Sequence, residues 1–276
     1  MVPMTKADEE IRQGKRFAFG ENWRAFLATL DEERIATAQR SLQAMLGCER
    51  LDGKTVLDIG SGSGLFSLAL RRLGARVRSF DFDPASVACT AELRTRYFPD
   101  DGDWLVEQGS VLDASYLATL GTFDLVYSWG VLHHTGAMWT AIDHAATRVT
   151  GGGTLFIAIY NDRGRSSRNW ARIKRIYCQG RLGRSVVSAV FIPYFALRTL
   201  ASCVVRRQNI FARYRQDRGM SIVHDWHDWL GGYPYEYATP EAIFSFLRDR
   251  SFALQELRTT PWLNNNEFVF TRQAAG

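Results

Sequence analysis

Cysteine is scarce and scattered. Cys48, Cys89, Cys178 and Cys203 include no C-x-x-C pair, which excludes a zinc ribbon, a dithiol redox motif and a disulfide scaffold and leaves four reduced, unpaired thiols as the reading. There is no internal repeat and no low-complexity block, so a solenoid or a disordered tract is not expected. The opening stretch MVPMTKADEEIRQGKRFAFG is charged where an export leader carries an apolar core, and a cytoplasmic location is the expectation. What remains is ordinary for a soluble globular chain: 276 residues, 46% hydrophobic and 23% charged. That length suits one large domain with an elaboration better than two equal ones.

Charge is unevenly placed. Residues 161–218 hold 14 Arg or Lys against Asp162 and Asp217, a local net of +12 in a chain whose total is +5. The rest of the chain is therefore acidic, and a partner for the positive charge belongs with this segment.

Strand and helix patterns alternate between residues 54 and 160. KTVLDIG reads as a buried strand, LFSLALRRLG as a helix ending near Gly74, ARVRSFDFD as the next strand, and PASVACTAELRTRYF as a helix with Pro84 in its first turn. WLVEQGS, FDLVYSW and GTLFIAIY supply three more strands, with DASYLATLG and MWTAIDHAATRVT as helices between them. Five such strands call for a parallel sheet covered on both faces. Upstream, Asp31 is placed to cap a helix over the following residues. Downstream, Thr239 and Pro240 start a helix, and ALQELRTT and EFVFTR alternate as two strands with no room for a crossover helix, hence an antiparallel pair at the end of the sheet.

The turn after the first strand, GSGSG at 60–64, lets backbone amides approach a ligand without a Cβ in the way. Leu65 stands where the dinucleotide fingerprint needs its third glycine, and Leu-Phe-Ser stands where a Walker loop ends in Lys-Ser/Thr, so neither phosphate motif fits. V-L-D-I followed by Gly60, Gly62 and Gly64 resembles motif I of the class I S-adenosylmethionine-dependent methyltransferases. Asp81 at the end of the second strand, EQGSVLD after the third and FDLVYSWGVLHHT at the fourth resemble that family's later motifs in order and spacing. The resemblance covers residues 54–160 and 239–272. It implies a Rossmann-like α/β fold with a mostly parallel seven-stranded sheet, helices on both faces, an N-terminal helical lid and a helical insertion after the fifth strand.

It also implies S-adenosyl-L-methionine as the cofactor. Asp58, Gly60, Ser61 and Gly62 would hold its methionine end and Asp81 both ribose hydroxyls. Phe82, Ser110 and Val111 would meet adenine, although Ser110 replaces a frequent Asp of the pattern, and Ser128 lies on the fourth strand nearby. Phe19 and Trp23, beside Gly20, would form the covering lid. The branch most resembled is the polyprenyl-quinol O-methyltransferase-like one, which implies a small-molecule acceptor methylated at oxygen. The expected divisions are a lid at 1–50, a cofactor-binding core at 51–160, a basic aromatic acceptor cap at 161–238 and a closing helix and strand pair at 239–276.

Methyl transfer is an in-line displacement that needs a base only when the acceptor arrives protonated. His133 and His134, at the carboxyl edge of the sheet, are the catalytic candidates. Trp226, His227, Tyr233 and Tyr235, within HDWHDWLGGYPYEY, are candidate acceptor contacts, since flat rings suit an aromatic acceptor beside a cation. The His and Asp spacing there matches no metal motif, and no metal is expected. In the insertion, VVSAVFIPYFALRTLASCVV at 186–205 is interrupted by Pro193 and Arg198, which argues against a bilayer span. Contact of residues 161–218 with an anionic membrane or a lipid is the partner expectation, ahead of nucleic acid. An RNA methyltransferase using the basic insertion, or a cofactor-binding regulator without turnover, are the alternatives.

Overall fold

A computed structural model describes residues 6–14, 16–17, 20–206, 226 and 229–274. Its centre is a seven-stranded sheet in the order β3-β2-β1-β4-β5-β7-β6. Strands β1 (Thr55–Ile59), β2 (Arg76–Asp81), β3 (Trp104–Gln108), β4 (Phe123–Trp129) and β5 (Val149–Tyr160) run parallel. The closing pair, β6 (Phe252–Arg258) and β7 (Asn265–Arg272), is antiparallel, with β7 inserted between β5 and β6. This is the mostly parallel Rossmann-like class I methyltransferase sheet that the sequence motifs imply.

The alternation along each strand explains the two-sided covering. Leu57, Ile59, Val126, Leu155 and Ile157 face one apolar cluster, completed by α6 (Ala114–Leu120), α7 (Met138–Thr147) and α10 (Pro240–Arg248). Val56, Val77, Leu125, Tyr127 and Phe156 face the other, completed by α3 (Glu32–Leu46), α4 (Leu65–Arg72) and α5 (Pro84–Tyr97). Because side chains alternate with period two, a strand buried on both sides reads as a continuous apolar run, which is why the central strands are legible.

Helix ends follow their capping residues. Asp31 caps α3 by accepting from Arg34 N, Asp83 caps α5 from Ala85 N, and Thr239 caps α10 from Ala242 N. Two shorter helices precede α3: α1 (Lys6–Arg12) and α2 (Gly20–Leu27). After β5 comes the insertion, a helical hairpin of α8 (Arg165–Cys178) and α9 (Arg181–Arg206). Pro193 sits inside α9 without ending it. The hairpin has its own small apolar cluster: Tyr177, Cys178, Val187 and Leu230, with Phe17, Trp170, Ile173, Phe191, Ile192 and Phe195 against them.

Lys174 is 1% exposed, and its ammonium donates to the Trp229 carbonyl and lies over the Trp229 and Tyr235 rings at 4.4 and 5.0 Å. A cation so deep in apolar surroundings is tolerated only with partners of this kind, and it rivets the hairpin to the segment that returns to the sheet.

Candidate active site

The turn that leaves β1 sets the floor of the site. Gly60 N and Ser61 N both donate to the Phe80 carbonyl, at 2.8 and 3.1 Å, which folds the chain tightly over the end of β2. Gly60 has φ +77°, and a Cβ there would lie 2.3 Å from a Val131 methyl. Gly64 has φ +82°, and its Cβ would lie 2.8 Å from Thr90 Cα. Both positions therefore demand glycine for conformation and for space. Ser61 Oγ pairs with Thr90 Oγ1 at 2.8 Å and pins the turn to α5.

Two enclosed carboxylates flank this turn. Asp58 is 2% exposed. One of its oxygens accepts from Ser67 Oγ, which accepts from Ser79 Oγ at 2.9 Å, which accepts from Trp104 Nε1 at 3.0 Å. An indole N–H can only donate, so every bond in this chain points toward the carboxylate. Burial pushes the Asp58 acid up to about 7, the Ser67 bond opposes it, and the neighbouring Asp81 charge adds to it. Asp81 accepts from Gly62 N through one oxygen and from Asp83 N through the other, both at 2.9 Å. Its acid is pushed up to about 6, again chiefly by burial, with those two backbone bonds opposing.

Asp58, Gly60, Ser61, Gly62, Asp81, Phe82, Ser110 and Val111 line one large cavity of about 2370 Å³. The Ser110 hydroxyl accepts from Leu112 N at 3.2 Å, so it shapes its own turn as well as the wall. Trp23 joins them, with its indole 3.2 Å from where a Gly62 Cβ would be. The segment carrying it is tied down by Gly20 N donating to Asp83 at 2.9 Å and by Arg16, which lies 4.7 Å over the Phe82 ring and donates to the His134 carbonyl at 3.1 Å. Phe19 and His227 lie outside the described residues.

Several expected contacts fall elsewhere. Ser128 is fully buried and donates to the Ile59 carbonyl at 3.0 Å, so it ties β4 to β1 and does not reach the cavity. His133 is also fully buried: its Nδ1 accepts from Tyr160 N at 3.3 Å, and its Nε2 has no partner among the described residues. Burial, then the neighbouring His134 and Lys174 charges, hold it well below the ordinary histidine value. Only His134 of the pair lines the cavity. Its Nδ1 lies 2.5 Å from the Pro234 carbonyl and must donate to it, which fixes Nε2 as the acceptor nitrogen. Burial brings its pKa down to about 3, against the opposing Pro234 bond.

Neither Tyr233 nor Tyr235 is among the residues that line the cavity. Tyr235 is 6% exposed and packs on Tyr160 at 4.8 Å, while the Tyr233 carbonyl accepts from Phe17 N at 3.1 Å. They belong to a strap that closes the sheet's upper edge: Glu236 N donates to the His133 carbonyl at 2.9 Å, and the Glu236 carboxylate accepts from Met138 N at the start of α7. Trp226 does line the cavity. The aromatic wall is completed by residues the sequence pattern did not single out, Trp170, Tyr194 and Phe195 from the hairpin and Trp129 from the end of β4. Trp129 Nε1 donates to Glu267 at 2.6 Å, and Trp170 meets Trp229 edge-on at 4.1 Å. Among the described residues no group of three or more His, Cys, Asp or Glu is arranged to hold a metal ion.

Comparison with known proteins bears on the family and the fold. A ubiquinone biosynthesis O-methyltransferase of Methylobacterium sp. (strain 4-46) is 33% identical over 121 residues, 44% of this chain and 47% of that protein. The corresponding protein of Paramagnetospirillum magneticum is 31% identical over 143 residues, 50% and 54% of the two chains. The chain thus spans about half the length of the curated relatives it matches. Two solved structures share the fold: magnesium protoporphyrin IX methyltransferase from Synechocystis PCC 6803 (TM-score 0.51, 14% identity, covering 99% of this chain and 90% of that one), and an O-methyltransferase family protein from Burkholderia thailandensis (TM-score 0.53, 17% identity, 97% and 67%). The family model described as a methyltransferase domain matches residues 30–218, and the chain belongs to that family.

Proposed function

We propose that this chain transfers a methyl group from S-adenosyl-L-methionine to an oxygen of a small, lipid-linked acceptor. The observation that carries this reading is the pair of enclosed carboxylates, Asp58 and Asp81, on either side of a glycine turn at the floor of the cavity. Acids whose ionisation burial opposes select a ligand that brings positive charge and hydroxyl donors, and a sulfonium nucleoside brings both. The residues present fit it. Asp81 retains acceptor capacity beyond its two backbone bonds for vicinal ribose hydroxyls, Phe82 and Val111 offer apolar surface to adenine, and Trp23 covers the Gly62 side.

When bound, the cofactor supplies a methyl carbon already activated by its sulfonium. What the chain contributes is alignment, exclusion of water and management of one proton. The Trp129, Trp170, Phe195 and Trp226 rings wall the acceptor side. His134, held in one tautomer by Pro234, is the acceptor for a proton leaving the substrate hydroxyl. Burial keeps the His134 ring neutral near pH 7, and so weak a base has to gain basicity from the negative charge that develops on a bound acceptor; an acidic hydroxyl, a phenol or enol, asks less of it than an alkanol. The apolar, basic insertion beside this wall favours a lipid-linked acceptor.

The test is transfer of radiolabelled methyl to fractions of a lysate lacking the protein. Label in a small-molecule or lipid fraction supports the reading, label in RNA overturns it in favour of a nucleic-acid enzyme, and cofactor binding with no transfer overturns it in favour of a regulator. Once an acceptor is in hand, His134→Ala is expected to lower kcat about 100-fold or more at saturating acceptor while affinity for S-adenosylhomocysteine stays unchanged. Undiminished turnover would remove the base role.

A further inference from the structure

Helix α9 is apolar on two sides of its circumference, centred roughly 120° apart at 3.6 residues per turn, and only one of them is covered. Val187, Phe191 and Phe195 pack inward on α8 and the Trp170 cluster. On the other side Leu182, Val186, Val190, Tyr194 and Leu197, spaced by four, four, four and three residues, are 79, 54, 60, 51 and 67% exposed. Those spacings place them in one continuous stripe along the helix. A helix with this pattern calls for a second apolar environment, since such a stripe is an unusual thing to leave in water.

The charge of the hairpin says which environment. From Arg163 to Arg206 there is no acidic residue, while Arg165, Arg168, Arg172 and Arg175 of α8 and Arg181, Arg184 and Arg198 of α9 are all exposed cations. A second copy of the chain would bring like charge against like. The length and hydropathy of Arg181–Cys203 would allow a span. Yet its inner face is engaged on α8, with Arg184 lying 5.5 Å over the Tyr177 ring. The segment is therefore built to lie on a surface.

We propose that the outer face of the α8–α9 hairpin docks on an anionic membrane, the stripe from Leu182 to Leu197 entering the headgroup boundary and the arginines meeting lipid phosphate. Tyr194 of this stripe also lines the cavity, as does the exposed Arg198 one turn further along α9, so the docked face borders the opening through which an acceptor enters. That last clause rests on the methyl-transfer reading, whereas the docking does not.

The experiment is flotation of the purified full chain with vesicles of phosphatidylcholine alone and of phosphatidylcholine mixed with phosphatidylglycerol. Binding to the mixed vesicles only, weakened by salt, is expected. The exposed substitutions Leu182→Glu and Val190→Glu should each weaken it about tenfold or more, and Arg168→Glu with Arg172→Glu about tenfold together. Thermal melting and S-adenosylhomocysteine binding should be unchanged in all of them, which separates docking from misfolding. Failure of the wild-type chain to float with anionic vesicles, or a wild-type dimer in solution that Val190→Glu dissociates, overturns the proposal. Flotation intact with no S-adenosylhomocysteine binding sinks the methyl-transfer reading and leaves the docking standing.

Discussion

Asp81→Ala is expected to lower affinity for S-adenosylhomocysteine by about 100-fold or more, measured by calorimetry, with the protein still folded by circular dichroism. Hydrogen bonds to an ionised group are worth about 1.5–3 kcal/mol each, so losing two ribose hydroxyls reaches that factor. The change also frees Gly62 N and Asp83 N, which the carboxylate holds at 2.9 Å on either side, so the glycine turn loses its brace along with the ligand contact. Asp81→Asn should do little better. Its amide can accept from only one of those two backbone donors and must oppose the other with its own N–H. Asp83→Ala is the discriminating control. It removes the α5 cap and the tether to Gly20, a stability loss of about 1 kcal/mol, and should change affinity far less. Affinity within threefold of wild type in Asp81→Ala would show that no ribose sits there.

Why Asp81 could be singled out from sequence, and other residues not, follows from how local each signal is. The glycine turn, the acid ending the second strand, the Asp31 cap and the Pro84 and Thr239 helix starts are all fixed by a few neighbouring residues, and each sits where the pattern places it. The sheet was legible for a related reason, since the central strands read as runs buried on both faces and the last two as an antiparallel pair. His133 and His134 show the limit. They are adjacent in one short 3-10 turn at Leu132–His134, and which ring reaches the cavity depends on a strap a hundred residues away, whose Pro234 carbonyl accepts the hydrogen bond from His134 Nδ1. Ser128 fails similarly: position 128 is at the right end of β4, but its hydroxyl turns back to Ile59.

The aromatic residues near the strap mislead for a second reason. Composition can say that Trp226, Tyr233 and Tyr235 form apolar surface, yet not which side of the strap each takes. Tyr235 goes inward to Tyr160 and the Lys174 ammonium, while the cavity wall draws on Trp170 and Phe195, whose helical spacing reads simply as hairpin packing. Lys174 itself looked like one more cation in a basic segment. Its burial depends on the distant Trp229 carbonyl, a partner no local pattern announces.

Affinity for S-adenosylhomocysteine should fall on the order of 100-fold between about pH 8 and about pH 5.5, with the two acids of the glycine turn protonating in succession near 7 and near 6. The sign follows from the direction of the shifts. Both acids are raised above the unfolded carboxyl value of 3.8, so in the free protein each contributes stability that is present below the unfolded value and lost as pH rises through 6 and then 7. A ligand bearing an ammonium and hydroxyl donors binds the ionised forms, so the penalty of ionising them in the free protein is offset on binding at high pH and must be met by deprotonation at low pH. The buried histidines pull the other way: His134, near 3 in the folded protein, is protonated below 6.5 only once the chain unfolds, and its contribution is lost as pH falls. Melting temperature alone would therefore mix opposing trends. The clean readout is the increase in melting temperature on adding S-adenosylhomocysteine, which should be larger at about pH 8 than at about pH 5.5. Asp58→Asn should remove the step near 7 and leave the one near 6. A pH-independent affinity would mean that neither carboxylate faces the ligand, and the Ser67, Ser79 and Trp104 bonds that aim at Asp58 would then serve only the packing of the sheet.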